Sequence, residues 1–139
     1  MVILDTNVLS ELMRRSVDPA VLAWIDGVVT DSIWVTSVTV FEIRLGLEMM
    51  PVGRRRRELE KEFSTVMEDD LDGRVLPFDS VAAHTAASIA AVKRRGGRPI
   101  EMRDVQIAGI AVARKGTLAT RNTRHFEGVG LSLVDPWKA

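Results

Sequence analysis

The chain has 139 residues, 46% of them hydrophobic and 27% charged, which is the composition of a single soluble globular domain covering residues 1–139. It has no cysteine, which excludes disulfide scaffolds, thiolate metal sites and cysteine nucleophiles, and which fits a reducing cytoplasm. No apolar run approaches the roughly 20 residues that a membrane span needs, so no membrane partner is expected.

The 19 basic and 19 acidic side chains cancel in sum but are separated along the chain. Basic residues are concentrated at positions 54–57 and 93–98, and acidic residues at positions 68–72. Arg54 and Glu58 have the spacing of an ordinary ion pair on a helix, so the basic runs are interpreted first as solvated helix faces. By themselves they do not establish nucleic-acid binding.

Short apolar segments alternate with helical patterns along the whole chain. Strands are predicted at Val2 to Leu4, Ile33 to Val35, Val75 to Phe78, Thr117 to Ala119 and Leu131 to Val134. Helices are predicted through Leu9 and Leu12, from Pro19, from Val38 to Met50, from Gly53 to Leu71 as an exposed excursion, from Ser80 to Lys93, and from Val105 to Ala113 as a buried helix. This alternation predicts an α/β fold with a parallel sheet covered on both faces.

The helix after the second strand carries apolar residues at spacings of three and four, and we expect this stripe to face the core. Its members are Val38, Phe41, Leu45 and Met49. At about 100° per residue, Glu42 falls beside the stripe and not opposite it. Since an exposed position would serve a purely structural glutamate better, Glu42 is a candidate functional residue.

Four polar side chains have related predicted positions. Asp5 and Asn122 follow the first and fourth strands, where an open α/β sheet presents its ligand-binding residues. Asp104 begins the buried helix, and Glu42 borders the core-facing stripe. An ionised carboxylate is rarely buried without a partner, because desolvation is costly. A divalent cation is the partner that would let several carboxylates meet at one place.

Each of these residues also has a structural explanation. Asp5 and Asp104 would each serve as a helix N-cap, which stabilises a helix by about 1 kcal/mol. Asn122 fits a turn, and Asp79 is assigned as a helix cap. With two histidines and no cysteine, a zinc site is disfavoured, and oxygen ligands favour Mg²⁺, with Mn²⁺ as a substitute.

Four blocks of the sequence resemble the PIN-domain family, and most closely the VapC-type and FitB-type toxins of bacterial toxin–antitoxin pairs. They are V-I-L-D-T-N-V-L-S-E, S-V-T-V-F-E-I-R-L-G-L, R-D-V-Q-I-A-G-I-A and L-A-T-R-N-T-R-H-F. The resemblance extends from Val2 to Trp137, with L-P-F-D also in its expected place. It implies a three-layer α/β/α sandwich around a parallel sheet, a metal-dependent ribonuclease and a homodimer. It further implies a small antitoxin that blocks the site and alone contacts operator DNA.

The resemblance also implies roles for individual residues. Asp5, Glu42 and Asp104 match the acidic metal ligands of the family, and Thr6 and Thr120 match the hydroxyl residues beside them. Asn122 stands where many members carry a fourth acid, which puts the number of bound metal ions in question. Arg103 stands where a small residue is more usual, so a cation is expected at the rim.

The expected chemistry is hydrolysis of an RNA phosphodiester by a metal-activated water. Thr120 or Asn122 would orient a water or contact the phosphate, and the arginine runs would offset the repulsion between RNA and an acidic pocket. Two alternatives stay open. One is a phosphoaspartyl enzyme with Asp5 as nucleophile, although such sites want a second aspartate where this chain has Asn7. The other is a non-catalytic PIN-like module that only binds its partner.

Three further residues are candidates for an interface with a second copy or an antitoxin. Trp24, Met49 and Met50 are large and apolar, and residues of these types are frequent at protein contacts. The alternative position for them is the core, and for Trp24 the two interpretations are equally favoured.

Overall fold

The structure, a computed structural model, describes all 139 residues around a parallel five-stranded sheet. The strands are β1 (Val2–Leu4), β2 (Ile33–Thr36), β3 (Val75–Leu76), β4 (Thr117–Ala119) and β5 (Ser132–Val134). The helices are α1 (Thr6–Leu12), α2 (Pro19–Asp26), α3 (Ser37–Met49), α4 (Arg54–Thr65), α5 (Ser80–Arg95) and α6 (Met102–Ala113). No helix is both long and apolar enough to cross a lipid bilayer.

The strand order is β3-β2-β1-β4-β5, and every neighbouring pair is parallel. The chain builds one half of the sheet outward from β1 and then returns past β1 to begin the other half at β4. This reversal puts the topological switch point between β1 and β4, where open α/β sheets bind ligands. The two strands lead directly into Asp5 and Thr120, and the backbone N–H of Asp5 donates to the carbonyl of Ala119 at 2.9 Å.

Successive residues of the central strands supply opposite faces of the sheet, as the two-residue period of a strand requires. Ile3 and Leu118 belong to a core shared with α5 and α6. Leu4 and Ala119 belong to a second core shared with α1, α3 and α4. The prediction of an α/β/α sandwich with a central parallel sheet is therefore confirmed.

The helices α5 and α6 approach each other closely enough to require a glycine. A Cβ added at Gly109 of α6 would lie 2.6 Å from the Cβ of Ala86 and 2.7 Å from the carbonyl oxygen of Ala82 on α5. This contact fixes α6 against α5 and thereby helps to set the position of the first turn of α6, which carries Asp104.

The prediction for the buried face of α3 was right for Val38 and wrong for the other three residues of the predicted stripe. Phe41, Leu45 and Met49 of the predicted stripe are exposed, to 55%, 38% and 77%. The buried residues are Val38, Thr39, Ile43 and Leu47. Two apolar stripes with the same spacing lie on nearly opposite faces of this helix, and periodicity alone does not distinguish them. The sheet contacts one and leaves the other as an apolar surface.

Other predicted boundaries shift for local reasons. The strand β3 ends at Leu76, two residues early, because Pro77 has no N–H to donate to a strand ladder. The segment predicted as an exposed helix begins as α4 and continues as a π-helical turn at Val66–Asp70. It is not wholly exposed, since Phe63, Val66 and Leu71 are buried in the second core.

Candidate active site

Asp5 is the most enclosed of the predicted acidic residues, with 4% of its surface exposed. It follows β1 and caps α1, because the backbone N–H of Thr6 donates to its Oδ1 at 2.8 Å. Its Oδ2 accepts the hydroxyl of Thr120 at 2.7 Å and the side-chain amide of Asn7 at 3.2 Å. The helix-cap explanation thus accounts for one carboxylate oxygen of Asp5, while the other is held toward the end of β4.

Thr120 links the ends of the two central strands and is fully buried. Its hydroxyl donates to Asp5 and accepts the backbone N–H of Asn122 at 3.1 Å. Asn122 therefore enters this network through its backbone, and its side chain is exposed. Its carbonyl accepts the N–H of His125 at 3.0 Å, so the turn explanation for Asn122 describes its backbone correctly.

Glu42 is joined to the end of β1 through threonine hydroxyls. The hydroxyl of Thr6 donates to Oε1 of Glu42 at 2.9 Å and lies 3.0 Å from the hydroxyl of Thr39. Because the proton of Thr6 is directed at Glu42, the hydroxyl of Thr39 donates to Thr6. Thr39 is fully buried, so this chain fixes the carboxylate of α3 relative to the sheet.

Asp104 is half-buried in the first turn of α6. The helix is capped by Glu101, whose carboxylate accepts the N–H groups of Arg103 at 2.9 Å and Asp104 at 3.3 Å. The explanation of Asp104 as an N-cap was therefore wrong. Its side chain is free for another role, and its Oδ2 lies 3.2 Å from Nδ1 of His125.

The environment raises the pKa values of two of the three carboxyl groups. Burial raises the pKa of Asp5 above the ordinary 3.8, and the nearby charge of Asp104 adds to the rise. The hydrogen bond from Thr120 offsets part of it. Burial also raises the pKa of Asp104, with Glu42 contributing and the hydrogen bond from His125 opposing. The negative charges are thus crowded and poorly solvated.

Arg103 places a cation at the edge of this acidic group, as expected. Its guanidinium lies 3.7 Å from Oε2 of Glu42 and stacks over the ring of Phe41, 5.4 Å from the centroid. The two half-buried carboxylates, Glu42 and Asp104, therefore each face a basic side chain.

The three carboxylates lie within electrostatic range of one another, but no three acidic or imidazole side chains converge closely enough to form a chelating cluster. The donor set is nonetheless one that a hard divalent cation such as Mg²⁺ prefers, since it offers carboxylate oxygens and no sulfur. Such a cation would offset the charge crowding that raises the pKa values of Asp5 and Asp104. The residues present fit the ion in chemistry.

Sequence reasoning missed two side chains of this network. Thr39 precedes Glu42 by three residues, one helical turn, and that spacing could have marked it as a neighbour. Asn7 follows Asp5 by two residues, and was considered only as a missing aspartate. The cap Glu101 was missed as well, although it stands three residues before Asp104.

The fold and the three carboxylates define a class of protein. It is an α/β protein whose parallel sheet has helices on both faces and carboxylates near its topological switch point. The sequence profile of the PIN domain matches residues 2–130. The chain is 41% identical over 138 residues to the VapC ribonuclease Y4jK of Sinorhizobium fredii, with 99% of each chain covered. It is 32% identical over 137 residues to the toxin FitB of Neisseria gonorrhoeae, again with 99% of each covered. A solved structure of FitAB bound to a DNA fragment superposes with a TM-score of 0.90 at 32% identity, covering 99% of this chain and 96% of that one.

The chain therefore belongs to the PIN-domain family, and within it to the VapC and FitB toxins of toxin–antitoxin systems. The resemblance found in the sequence is confirmed.

Proposed function

We propose that this toxin is an endoribonuclease that hydrolyses RNA phosphodiester bonds with Mg²⁺, for which Mn²⁺ can substitute. The observation that carries the proposal is Asp5: a buried carboxylate at the switch point, with a raised pKa and a rotamer fixed by three donors. Its relatives include a protein named as a ribonuclease. The whole chain acts as one catalytic domain.

The ion would be held by Asp5, Glu42 and Asp104, directly or through water. A bound Mg²⁺ would lower the pKa of a coordinated water and neutralise negative charge on the phosphoryl oxygens. Asp5 keeps its orientation because Thr120 and Asn7 hold its Oδ2. Glu42 and Asp104, which pair with Arg103 and His125, would give up those pairings to hold the ion.

The remaining polar groups act on the substrate. The exposed side chain of Asn122 contacts the phosphate or orients a water beside it. Both oxygens of Asp5 accept hydrogen bonds from neighbours, which suits a fixed ligand better than a nucleophile that must rotate to attack. No separate observation favours the phosphoaspartyl or the non-catalytic alternative.

The toxin is inhibited by a small antitoxin, acts as a homodimer and reaches operator DNA only through the antitoxin. The exposed stripe of α3 supports a protein contact, because Phe41, Leu45 and Met49 form a larger apolar surface than isolated exposed residues do. Met50 is half-buried, and Trp24 packs partly against the second core, so Met49 is the strongest interface candidate of the three predicted from sequence.

The test is cleavage of single-stranded RNA by purified, antitoxin-free protein in Mg²⁺, in Mn²⁺ and in EDTA. We expect cleavage with either metal and none in EDTA. Equal cleavage in all three conditions would exclude the metal mechanism. Folded protein that cleaves no RNA in any of them would favour the non-catalytic alternative.

A further inference from the structure

A groove of about 450 Å³ runs between α1 and α3, with α4 at its edge, and its lining includes one of the three carboxylates, that of Glu42. We call it the arginine groove, and the residues that matter to it are Ser10, Arg14, Glu42, Gly46, Arg55 and Arg103. Three of these side chains are cationic and one is anionic. Thr6 also lines the groove, so its inner end is the hydroxyl that donates to Glu42.

Gly46 keeps this groove open in the middle of α3. A glycine inside a helix costs roughly 1 kcal/mol relative to alanine, and usually a close neighbour explains it. Here a Cβ would meet nothing within 4 Å, so packing does not require the glycine. Gly46 lies one helical turn beyond Glu42, on the same face. A side chain at this position would project into the groove beside the site.

Arg55 contributes positive charge that its surroundings do not neutralise. Its nearest carboxylate is that of Glu58, at 4.0 Å. Glu58 is already paired with Arg15 at 2.7 Å and with Arg54 at 3.1 Å. One carboxylate is thus shared by three guanidinium groups, which leaves an excess of positive charge at the outer end of the arginine groove.

A second basic surface adjoins the carboxylates at Asp104. A pocket of about 200 Å³, here the basic pocket, is lined by Lys93, Arg98, Arg124 and His125, with Glu127 as its acidic residue. His125 is the residue that contacts Asp104. The arginine groove thus includes Glu42 in its lining, and the basic pocket adjoins Asp104 through His125.

We infer that single-stranded RNA crosses the site from the arginine groove to the basic pocket, with Gly46 providing the clearance for the strand. This inference rests on the proposed function. Phosphates on the two sides of the scissile bond contact Arg55 and Arg98, so the polyanion is held at both flanks while the carboxylates face the phosphate between them. Leu59, which is half-buried, also lines the arginine groove and offers apolar contact surface to an unstacked base.

The first experiment measures binding apart from cleavage. The Asp5→Asn protein, in EDTA, is titrated against a fluorescein-labelled single-stranded RNA, and anisotropy is followed over a range of KCl concentrations. Adding Arg55→Gln should weaken binding by roughly three- to tenfold and reduce the slope of log Kd against log salt by about 0.7. Arg98→Gln should do the same.

Matched controls separate a defined path from general electrostatics. Arg57→Gln and Arg95→Gln remove the same charge from nearby exposed positions that line neither surface, so they should leave both Kd and slope nearly unchanged. Equal effects of Arg55→Gln and Arg57→Gln, or of Arg98→Gln and Arg95→Gln, would overturn the inference.

The second experiment tests the clearance at Gly46. Gly46→Gln should weaken RNA binding at least as much as Arg55→Gln, whereas Gly46→Ala should bind normally, with a thermal melt to show that both fold. Unchanged RNA binding by Gly46→Gln, together with loss of antitoxin co-purification, would assign the groove to a protein segment and refute the RNA path. Wild-type cleavage with no effect of any of these variants refutes the path and leaves the proposed function standing. Wild-type protein that neither binds nor cleaves RNA refutes both.

Discussion

The strand side and the helix side of the site differ in how firmly they hold their carboxylates. On the strand side, Asp5 is buried and accepts three hydrogen bonds, one of them from a fully buried threonine. On the helix side, Glu42 and Asp104 are half-buried, and each faces a basic side chain that is itself partly exposed. The strand side is fixed by the fold. On the helix side only Oε1 of Glu42 has such a contact, from the hydroxyl of Thr6 at 2.9 Å, and the pairings of Glu42 with Arg103 and of Asp104 with His125 are ones that a cation or a substrate can replace.

This difference indicates that the two sides contribute in different ways. A ligand whose orientation is fixed in advance loses little conformational freedom when it binds an ion. Carboxylates that are already paired must first give up those partners. Removing a carboxylate on either side should therefore lower activity strongly, with the largest effect on the strand side, whereas changes to the exposed residues around the site should mainly adjust affinity.

The largest effect is expected for Asp5→Asn. The amide keeps one acceptor oxygen and nearly the same shape but removes the charge that would hold the ion. We expect cleavage to fall by more than about a hundredfold, beyond the loss typical of groups that only support a metal ligand. Initial rates of RNA cleavage at increasing Mg²⁺ are the measurement.

Asp104→Asn is the matched change on the helix side and should also abolish cleavage at practical Mg²⁺ concentrations. A ranking in which Asp104→Asn is inactive and Asp5→Asn remains active would reverse the comparison between the two sides. Cleavage at the wild-type rate by the Asp104 variant would exclude the proposed site.

A smaller effect is expected for Thr120→Val, which removes only the hydroxyl that donates to Asp5. The valine fills the same volume, but Oδ2 of Asp5 loses its shortest hydrogen bond and the N–H of Asn122 loses its acceptor. Loss of such a supporting contact costs about 10- to 100-fold in metal affinity. Mn²⁺ binding followed by electron paramagnetic resonance checks this without relying on cleavage.

Thr120→Ser restores the hydroxyl and is the control for Thr120→Val. If the serine variant binds Mn²⁺ as poorly as the valine variant, Thr120 acts through packing and not through its hydrogen bond.

The strand side of the site was also easier to predict from the sequence than the helix side. Asp5 and Thr120 follow short apolar strands, and the period of a strand together with the position of a strand end is a local property. The alternation of strands and helices predicts a parallel α/β sheet, but it does not predict the order of the strands. The pairing of β1 with β4, which creates the switch point, depends on tertiary structure. The sequence therefore placed the residues at strand ends without showing which ends meet.

The helix side was predicted less well, for a physical reason. Two equivalent stripes on α3 made its orientation ambiguous, and the stripe chosen from sequence, containing Phe41 and Leu45, is the exposed one. Glu42 lies between the stripes, so its prediction as a candidate ligand does not depend on which stripe is buried. The cap of α6 was misassigned because Asp104 and Glu101 are both acidic and one helical turn apart, and only the backbone geometry distinguishes them.

The next prediction concerns how the free energy of unfolding depends on pH. The pKa of Asp5 is raised in the folded protein, so folded Asp5 holds its proton at pH values where the unfolded chain has released it. In the metal-free protein its contribution to stability is therefore complete below the ordinary pKa of 3.8 and is lost as pH rises through the folded value. The neutral Asp5→Asn side chain has no such loss.

We therefore expect the free energy of unfolding of Asp5→Asn, relative to wild type, to increase from acid pH toward neutrality in EDTA. Urea unfolding at a series of pH values measures this difference. Saturating Mg²⁺ should stabilise wild type alone, by about 2.7 kcal/mol at one hundred times the Kd. A difference that is independent of pH would mean that the charge of Asp5 is not destabilised by burial.

The smallest effect is expected for Asn122→Asp, which would supply the fourth acid that many relatives carry. The side chain of Asn122 is exposed, so an added charge acts on the ion through solvent and is screened. Attraction at an effective dielectric of about 20, reduced by that screening and by repulsion from Asp5, should amount to about 1 kcal/mol or less. The Mg²⁺ concentration for half-maximal cleavage should then fall by no more than about tenfold.

A magnesium titration of wild type and Asn122→Asp measures this midpoint, and Asn122→Ala shows whether the amide itself contributes. Because the backbone N–H of residue 122 donates to Thr120 in wild type, both substitutions leave that contact available, and any change reports on the side chain. An unchanged midpoint in both variants would assign Asn122 to the turn after β4 alone. If the Mg²⁺ midpoint of Asn122→Asp fell by much more than tenfold, residue 122 would reach the ion directly. The exposed segment after β4 would then lie closer to the ion than its exposure indicates.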